Sequence, residues 1–442
     1  MINTLSKTIT QRVPHPYISV FMVGLGSLFY IYEFFIRVIP SVITTELMHE
    51  FALNASMLGF ISSLFYYAYT AMQIPSGLMC DRFGPKRLLV IGLFGCGLAT
   101  VFFGNTDSAS SISLARFISG AMSAFAFICP LVLTTNWFPS HYFALITGII
   151  QTLGCLGAIF GGGPLAILVA QYGWRTTLTY AGLIGIILSA LILFFLKNKP
   201  KDPETQAWLK ACHAHTLGDD HRITNEWQRL CKIITKKQNW VIGFIGFCCW
   251  GPIAVFGELW GVQSITHMFH LSNEAAATHL LWIWVSIAIM SPIVGWWSDH
   301  IQSRRIPLII CFSIGIFATL ILNISHHMSP FIFDVVLFML GTSAASQPVT
   351  FGLIKDQNPI SVAGTAISFN NMSVIFGGVL LQPLFGWVLD IFWTGQLSEQ
   401  GIRLYSAVEY HDAMWILPIC CIMGLLASLF LLQETHCKRR YH

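Results

Sequence analysis

The chain has 442 residues, of which 55% are hydrophobic and only 10% are charged, and its mean hydropathy is +0.67. A soluble globular protein carries about 25% charged residues, so this chain cannot cover its surface with solvated side chains and most of that surface must face lipid. The formal net charge of +4 is small, and we expect no nucleic-acid partner.

Twelve apolar runs are each long enough to cross a bilayer core of about 30 Å, which takes about 20 residues of helix. They are residues 17–43, 55–80, 86–104, 110–137, 142–170, 174–196, 239–266, 272–298, 306–324, 330–353, 360–391 and 408–432. The first run is too long for a cleavable signal peptide, and no small-residue cleavage site closes it. The fifth and eleventh runs are long and rich in Gly and Pro, which predicts tilted or bent helices.

A polar segment, 197–238, divides these runs six and six and predicts a linker with a short surface helix around Glu226–Lys237. Loops rich in Lys and Arg stay in the cytoplasm. With both termini inside, 20 of the 24 Lys and Arg lie on the cytoplasmic side. We therefore expect a six-helix bundle at 1–196, a cytoplasmic linker, and a second bundle at 239–442, in the inner membrane of a bacterium.

The twelve cysteines predict neither a disulfide framework nor a metal centre. Most of them lie inside the apolar runs, where a thiol is a small buried hydrophobe. Cys212, His213 and His215 share a polar loop, but their spacing matches no metal motif and favours a solvated loop.

The two halves of the chain repeat weakly. Four residues recur in the second half at an offset of 218 or 219: Gly77 with Gly295, Asp81 with Asp299, Gln151 with Asn370, and Pro164 with Pro383. Two independent pairs of runs give nearly the same offset, which indicates duplication of a six-helix unit. Many transporters built from such repeats hold their substrate between two rocking halves.

The strongest local motif is the segment 77–87, which reads G-L-M-C-D-R-F-G-P-K-R between the second and third runs. It resembles the helix 2–3 loop of the major facilitator superfamily, G-x-x-x-D-R-x-G-R-[RK], with Pro85 in place of the usual first basic residue. The resemblance implies an all-α membrane protein with two pseudo-symmetric bundles of six helices around a central cavity.

The same motif predicts a gate on the cytoplasmic face. Gly77 allows a close helix approach and Gly84 a tight turn. Asp81 and Arg82 can pair with charges and helix ends across that face, and Asp299 marks the partial copy of the motif in the second half. The loop 139–142 lacks the acidic–basic pair of many relatives, so the partner of Arg82 stays open.

Further segments extend the resemblance over the chain: R-F-I-S-G at 116–120, the Gly-rich stretch 157–164, G-W-R at 173–175, and G-T-A at 364–366 with Asn370. Segments 32–41 and 259–261 resemble importers of organic anions and small nutrients, some of which serve bacteria living in host vacuoles. Carboxylate-siderophore carriers look similar.

Ionisable residues at membrane depth cost about 2.5–3.5 kcal/mol or more and are functional candidates by default. Glu33 and Arg37 lie four residues apart on one face of the first run, with Tyr30 on roughly the same stripe. They form either a self-neutralising pair or a site where Arg37 binds a substrate carboxylate through its planar fork. In the second case Glu33 positions Arg37 or takes a proton.

Glu258, in the seventh run, has no charged neighbour at helical spacing and is the second proton-site candidate. It lies either in a cavity shared with Glu33, because the first and seventh runs are symmetry mates, or exposed at the outer mouth. Arg116 either takes part in proton coupling or snorkels to the outer interface.

Other polar and aromatic residues at membrane depth are candidates for the substrate site. They are Tyr66, Gln151, Trp260, Gln347 and Asn370. For the amides, hydrogen bonding between helices is the alternative, and for the aromatic residues packing or anchoring at the lipid interface.

We therefore predict a monomeric secondary transporter that takes up a small anionic or zwitterionic solute with protons, or with sodium, by alternating access. No phosphate loop, nucleophile with an oriented base or spaced metal ligands appear, so neither an enzyme nor a cofactor is expected. Efflux of drugs or of a siderophore by the same fold, and a nutrient sensor that does not transport, stay open.

Overall fold

The computed structural model describes residues 16–139, 142–200, 202, 203, 205, 226–325, 328–359, 362–398, 401 and 403–437. Cys212, His213 and His215 lie outside these residues, and within them no group of three or more His, Cys, Asp or Glu is placed to hold a metal ion. The described chain is almost wholly helical, and its β-pairing is one isolated bridge between Leu397 and Arg403.

Twelve long helices, several of them broken or bent, form the described architecture. They are α1 (Pro16–Val42), α2 (Ala55–Phe83), α3 (Pro85–Gly104), α4 (Ala109–Ser123 and Phe125–Trp137), α5 (Phe143–Gly161 and Gly163–Tyr172), α6 (Trp174–Phe195), α7 (Lys237–Pro252, Ile253–Trp260 and Gly261–Phe269), α8 (Asn273–His300), α9 (Arg305–Ile324), α10 (Pro330–Ala344 and Gln347–Asp356), α11 (Ala363–Ile391) and α12 (Ala407–Met414, Ile416–Leu426 and Ala427–Leu431). Short helices lie at Thr44–Glu50 and Glu226–Ile234.

Eleven of these helices are long and apolar enough to cross a membrane. The twelfth, α2, meets this condition for a membrane span only when it is taken together with the helix Thr44–Glu50. The two helices are bent by 118° relative to each other. The predicted all-α membrane fold is therefore confirmed. The polar residues that lower the hydropathy of α2 mostly face the interior, where Ser62, Tyr66 and Gln73 are buried.

The molecule has two ends, which we call the linker face and the far face. At the linker face α1 begins at Pro16 and α6 ends at Phe195, and at the far face α1 ends and α2 begins. Five helices that begin at the far face have an Asn or Ser whose side chain accepts a backbone N–H of the first turn: Asn54, Ser108, Ser272, Ser329 and Ser406. These caps satisfy N–H groups that the helix itself leaves unpaired.

The two six-helix halves pack against each other through matching pairs of helices. Helix α2 packs along α11, and α5 packs along α8. A shift of six helices converts one pair into the other, as expected for two pseudo-symmetric bundles. Glycines allow the approach: a Cβ on Gly59 would lie 2.6 Å from the carbonyl oxygen of Gln382, and one on Gly386 would lie 2.2 Å from that of Ala55.

The two long helices rich in Gly and Pro differ in continuity. Helix α5 breaks at Gly162, as its Gly-rich sequence predicts, whereas α11 runs without a break from Ala363 to Ile391 around Pro383. A π-helix over Ile253–Trp260 in the middle of α7 was not predicted. Such wide turns are rare and occur frequently at functional sites.

Contacts between the halves join them at the far face. There Asp390 of α11 accepts hydrogen bonds from the backbone N–H of Ser56 (2.9 Å) and from the hydroxyls of Ser56 and Tyr405, and it pairs with Arg403 at 3.0 Å. The Tyr405 hydroxyl also accepts the backbone N–H of Ala55 at 3.0 Å. The first turn of α2, in the first half, is thus held by a carboxylate of the second half.

The contact between α1 and α5 depends on a glycine, which gives a first testable prediction. A Cβ on Gly157 would lie 1.9 Å from the carbonyl oxygen of Ile31, so backbone would have to move. We expect Gly157→Ala to lower stability by about 1–3 kcal/mol, as overpacking does. Gly148→Ala in the same helix is the control, because nothing lies within 4 Å of its added Cβ. Thermal unfolding in detergent would measure both, and equal midpoints would contradict the packing argument.

Candidate functional site

A small cavity lies between the two halves, and helices of both halves line it. The lining residues are Tyr30, Phe34, Arg37, Tyr69, Phe127, Gln151, Trp250, Gln347, Phe351, Asn371 and Ile375. The centre of a water-sized sphere can occupy about 20 Å³ of it. This is room for about one water molecule, so the cavity is too small for an organic solute.

Arg37 of α1 is the charged group of the cavity wall. Its side chain is buried, its Nε donates to Glu33 Oε1 at 2.9 Å, and a second guanidinium nitrogen contacts the same oxygen. The guanidinium carbon lies 4.5 Å from the ring centre of Phe34 and 5.5 Å from that of Tyr69. The cation is therefore held by a carboxylate and by aromatic faces, which suits Arg better than Lys.

Glu258 of α7 brings a second carboxylate to Arg37 from the other half of the molecule. Its Oε1 lies 3.8 Å from a terminal nitrogen of Arg37 and accepts the indole N–H of Trp250 at 3.3 Å. The side chain is only 1% exposed, so it does not lie in the open at the outer mouth, which was one of the two predicted locations. Glu33 and Glu258 are not in the cavity wall but directly behind Arg37.

The two carboxylates each have one oxygen, Oε2, that is buried and accepts no hydrogen bond. An unsatisfied oxygen of this kind costs about 1–3 kcal/mol, more when it is charged. If Arg37 turned to another partner, the ionised carboxylate of Glu33 or Glu258 would be left buried and poorly stabilised.

Arg116 of α4 is buried and turned inward, so the predicted possibility of snorkelling to the outer interface is wrong. It donates to the carbonyl oxygens of Ile36 (3.2 Å) and Ser62 (3.4 Å), and its guanidinium lies 4.8 Å from the ring centre of Phe65. It thus joins α1 to α2 beside Arg37, Glu33 and Glu258, which we call the Arg37 cluster. Together with Arg37 it balances the formal charges of the two buried glutamates.

Amides and a phenol complete the polar part of the cavity wall. Tyr30 donates to Gln151 Oε1 at 2.9 Å, which joins α1 to α5. Gln347 of α10 and Asn371 of α11 lie across from them, and Asn371 donates to Gln73 of α2 at 3.1 Å. The sequence interpretation selected Tyr30, Gln151 and Gln347, which line the cavity.

Three other predicted substrate residues pack between helices in this conformation and do not line the cavity. The ring of Tyr66 lies against Gly378 of α11. The Trp260 indole donates to Gln382 O at 3.1 Å, and Asn370 donates to the Thr350 hydroxyl at 2.9 Å. For Trp260 and Asn370 this is the packing alternative that the sequence left open.

Seven cavity residues were not among the predicted substrate residues: Phe34, Tyr69, Phe127, Trp250, Phe351, Asn371 and Ile375. Asn371 follows the selected Asn370 directly, and the helical rotation of about 100° per residue decides which of the two faces inward. No sequence pattern selects Trp250, because its contact with Glu258 arises across the wide turn over Ile253–Trp260.

The predicted gate residues lie at the linker face. Gly84 has a φ of +78°, which a side chain rarely adopts, and it forms the turn from α2 to α3 beside Asn198. Arg82 is exposed with its guanidinium 5.3 Å from the ring centre of Phe83. A Cβ on Gly77 would meet nothing within 4 Å, so the predicted close helix approach at Gly77 is wrong for this conformation. The Asp81 side chain lies outside the described residues.

The second copy of the motif, which is less complete in sequence, carries a full charge network. Arg304 pairs with Asp299 at 2.7 Å and with Asp356 at 3.0 Å. Glu434, just after α12, accepts the backbone N–H groups of Arg304 (3.0 Å) and Arg305 (2.9 Å). Burial by itself would raise the pKa of the Glu434 carboxyl, but these bonds lower it to about 2, so the carboxylate stays ionised.

Comparison with known proteins gives a consistent result. A family model described as the Major Facilitator Superfamily matches residues 23–380 and, in an overlapping match, residues 259–440. The "Uncharacterized transporter YybO" of Bacillus subtilis is 25% identical over 417 residues, covering 88% of this chain and 92% of that protein. The "Probable sulfoacetate transporter SauU" of Cupriavidus necator is 27% identical over 294 residues, or 64% of this chain and 65% of that protein.

Two further matches are a sequence match over part of the chain and a structural match over nearly all of it. The "D-galactonate transporter" of Escherichia coli O6:H1 is 31% identical over 161 residues, which are 36% of this chain and 37% of that protein. A bacterial homolog of the human lysosomal transporter Spinster, solved in an inward-facing and unoccupied conformation, aligns with a TM-score of 0.74 at 16% identity. That alignment covers 97% of this chain and 99% of the other, and it shows the same fold.

Proposed function

We propose, from the premise that this chain belongs to the Major Facilitator Superfamily and is therefore a membrane transporter rather than an enzyme, that it takes up a small organic anion together with protons. One observation carries the proposal. Arg37 lies in the wall of a small cavity between the halves, and a carboxylate from each half faces it. Relatives named for sulfoacetate and for D-galactonate support an organic acid as the substrate class.

Arg37 serves as the anchor for the substrate anion. A guanidinium can bind a carboxylate or sulfonate through two parallel hydrogen bonds, which gives both affinity and orientation. The amides of Gln151, Gln347 and Asn371 lie around the same cavity and offer donors and acceptors to the remainder of the solute. Phe127 and Trp250 supply apolar surface for its carbon skeleton.

Coupling arises because the substrate and the glutamates compete for one cation. When the substrate anion binds Arg37, Glu258 or Glu33 loses its ion-pair partner inside a buried cluster. Leaving a buried charge unpaired costs about 3–5 kcal/mol, and a proton on the carboxylate removes that charge. Substrate and proton are therefore favoured together, since either one without the other leaves an unbalanced charge.

The same geometry favours a proton over sodium as the coupling ion. A hard cation such as sodium needs several oxygen ligands at once. Here the Oε1 atom of each glutamate faces the guanidinium of Arg37, which would repel a second cation. A proton needs one oxygen only, and the two unpartnered Oε2 atoms provide it.

Alternating access would follow from rocking of the two halves about this cluster. The contacts of Asp390 close the far face, so the cavity opens next toward the linker face, which we assign to the cytoplasm. The reverse movement breaks the Asp390 contacts and exposes Arg37 to the outside. The protein would work as a monomer in the bacterial inner membrane, with both termini in the cytoplasm.

Glu258→Gln tests this function in proteoliposomes. Because the amide cannot carry the proton, we expect accumulation driven by an inward proton gradient to fall at least about tenfold. Exchange of labelled for unlabelled substrate, which needs no net proton movement, should persist. Sulfoacetate, D-galactonate and D-glucarate form the first panel of substrates, with neutral sugars and amino acids as comparison.

Glu274→Gln is the matched control, because it makes the same chemical change at an exposed position in the first turn of α8. It should accumulate substrate as the wild type does. If Glu258→Gln accumulates substrate with the pH dependence of the wild type, Glu258 does not couple the proton. If no anion of the panel is transported by the wild type, the assigned substrate class is wrong.

A further inference from the structure

Trp250 both lines the central cavity and donates a hydrogen bond to Glu258. Its indole is part of the wall of the central cavity. Its Nε1–H donates to Glu258 Oε1 at 3.3 Å, the same oxygen that faces Arg37 at 3.8 Å. The side chain is buried at 1% exposure, so the indole cannot move without changing what it touches on either side. A change of cavity shape is therefore passed to the carboxylate through one side chain.

The π-helix in α7 makes this contact possible. In a straight α-helix residues 250 and 258 would point about 80° apart, because each residue turns by about 100°. The wider turn over Ile253–Trp260, with about 4.4 residues per turn, brings the two side chains to nearly the same side of the helix. The rare backbone form thus places the donor over the acceptor.

Groups from several helices face this contact. Helix α1 contributes Arg37 and Glu33, and Arg116 of α4 lies behind them. Tyr69 of α2 lies against Arg37. On the other side, α11 contributes the uncharged amide of Gln382, which donates to the carbonyl oxygen of Ala254 at 2.7 Å. The charged groups that act on Glu258 are thus those of the Arg37 cluster.

The indole also has aromatic neighbours that bear on Arg37. Its ring packs edge-on to Phe34 at 6.4 Å between ring centres, and Phe34 is the ring closest to the Arg37 guanidinium. On another side it packs against Trp284 of α8 at 6.3 Å. Displacement of the indole by a solute would therefore disturb the support of Arg37 and withdraw a hydrogen bond from Glu258 in one movement.

We propose that Trp250 is a positioning residue that senses substrate in the cavity and thereby decides when Glu258 leaves Arg37 and takes its proton. The inference rests on the proposed proton-coupled function. In the empty cavity the indole N–H and Arg37 together hold the ionised carboxylate. With a solute in place both donors turn away, and the uncompensated carboxylate is neutralised by a proton.

Trp250→Phe tests the inference, because it keeps an aromatic ring in the wall and removes the N–H. Because Trp250 also contacts the solute, we expect the half-saturating substrate concentration in exchange to rise, and the deciding readouts are the pH profile and the proton count. The pH of half-maximal proton-driven uptake should rise by about one unit, since one hydrogen bond to the charged form of Glu258 is lost. The number of protons taken up per substrate, followed with a pH-sensitive dye, should fall.

Trp284→Phe is the matched control, since Trp284 is buried beside the same indole but makes no hydrogen bond to Glu258. It should leave the pH profile unchanged. In a Glu258→Gln background, Trp250→Phe should add no further shift. If the Phe variant is not recovered folded, Trp250→Tyr makes the same test, because its hydroxyl lies at a different place on the side chain from the indole N–H.

The outcomes separate the two proposals. If the wild type moves no protons with its substrate, the proposed function fails and the role of Trp250 fails with it. If the wild type is proton-coupled and Trp250→Phe keeps its pH profile and proton count, only the role of Trp250 is wrong. An equal shift in Trp284→Phe would also overturn it, because the effect would then be one of packing.

Discussion

Replacement of Arg37 by Gln is expected to lower anion uptake by at least about 100-fold while leaving some folded protein. Two charge-assisted hydrogen bonds to the substrate are lost, worth together about 3 kcal/mol, and tenfold corresponds to about 1.4 kcal/mol. Arg37→Lys should recover little of this, because an ammonium cannot present two parallel donors to a carboxylate. Uptake of labelled substrate into proteoliposomes, normalised to folded protein, measures both variants.

Loss of Arg37 also leaves Glu33 and Glu258 without a partner in the buried cluster, which lowers stability. The double variant Arg37→Gln with Glu258→Gln removes one of the two orphaned charges and separates the effects. It should unfold at a higher temperature than Arg37→Gln and still fail to take up substrate. Uptake within about threefold of the wild type in folded Arg37→Gln would mean that the anion binds elsewhere.

The fold was predictable from the sequence because the bilayer imposes a simple requirement. Each crossing needs about 20 apolar residues with all backbone groups paired inside the helix, so span number and approximate ends follow from composition alone. The exact helix ends depend on local chemistry that the sequence also carries, such as Asn54 and Ser272 as caps at the far face. The break of α5 at Gly162 follows from the same local reasoning.

The candidate site was predictable only in part, because its geometry depends on contacts between helices distant in sequence. The spacing of Glu33 and Arg37 predicts their pairing within α1. No local pattern predicts that Glu258 reaches Arg37 from the other half, since this contact depends on how the halves dock. The inward direction of Arg116 likewise depends on carbonyl oxygens of α1 and α2 that come within its reach only in the fold.

The aromatic residues show the limit most clearly. Trp250 and Trp260 are both buried in α7, and sequence reasoning selected Trp260 as the cavity residue. The π-helix between them changes the helical phase, so Trp250 lines the cavity and Trp260 stacks on Phe385 of α11. A wide turn of this kind leaves no reliable trace in hydrophobic periodicity, so the sequence alone does not show which of the two indoles faces the cavity.

The contacts of Asp390 at the far face give the second large expected effect. Asp390 accepts a backbone N–H in the first turn of α2, where the helix dipole favours an anion, and it also pairs with Arg403. Asp390→Asn removes this charge and leaves Arg403 without its partner. Loss of about 2–3 kcal/mol from the closed state would shift the equilibrium toward an open far face by about 30- to 150-fold.

Spin labels at cysteines replacing Thr45 and Glu274, exposed far-face residues of the two halves, would report the change as a longer distance distribution by electron paramagnetic resonance. The exposed native Cys231 is replaced first. Asp107→Asn is the matched control, because Asp107 pairs at the far face with Arg175 of its own half. It should leave the distance unchanged. A closed far face in Asp390→Asn would mean that the remaining α2–α11 contacts suffice to hold the halves together, and the carboxylate would then serve helix α2 alone.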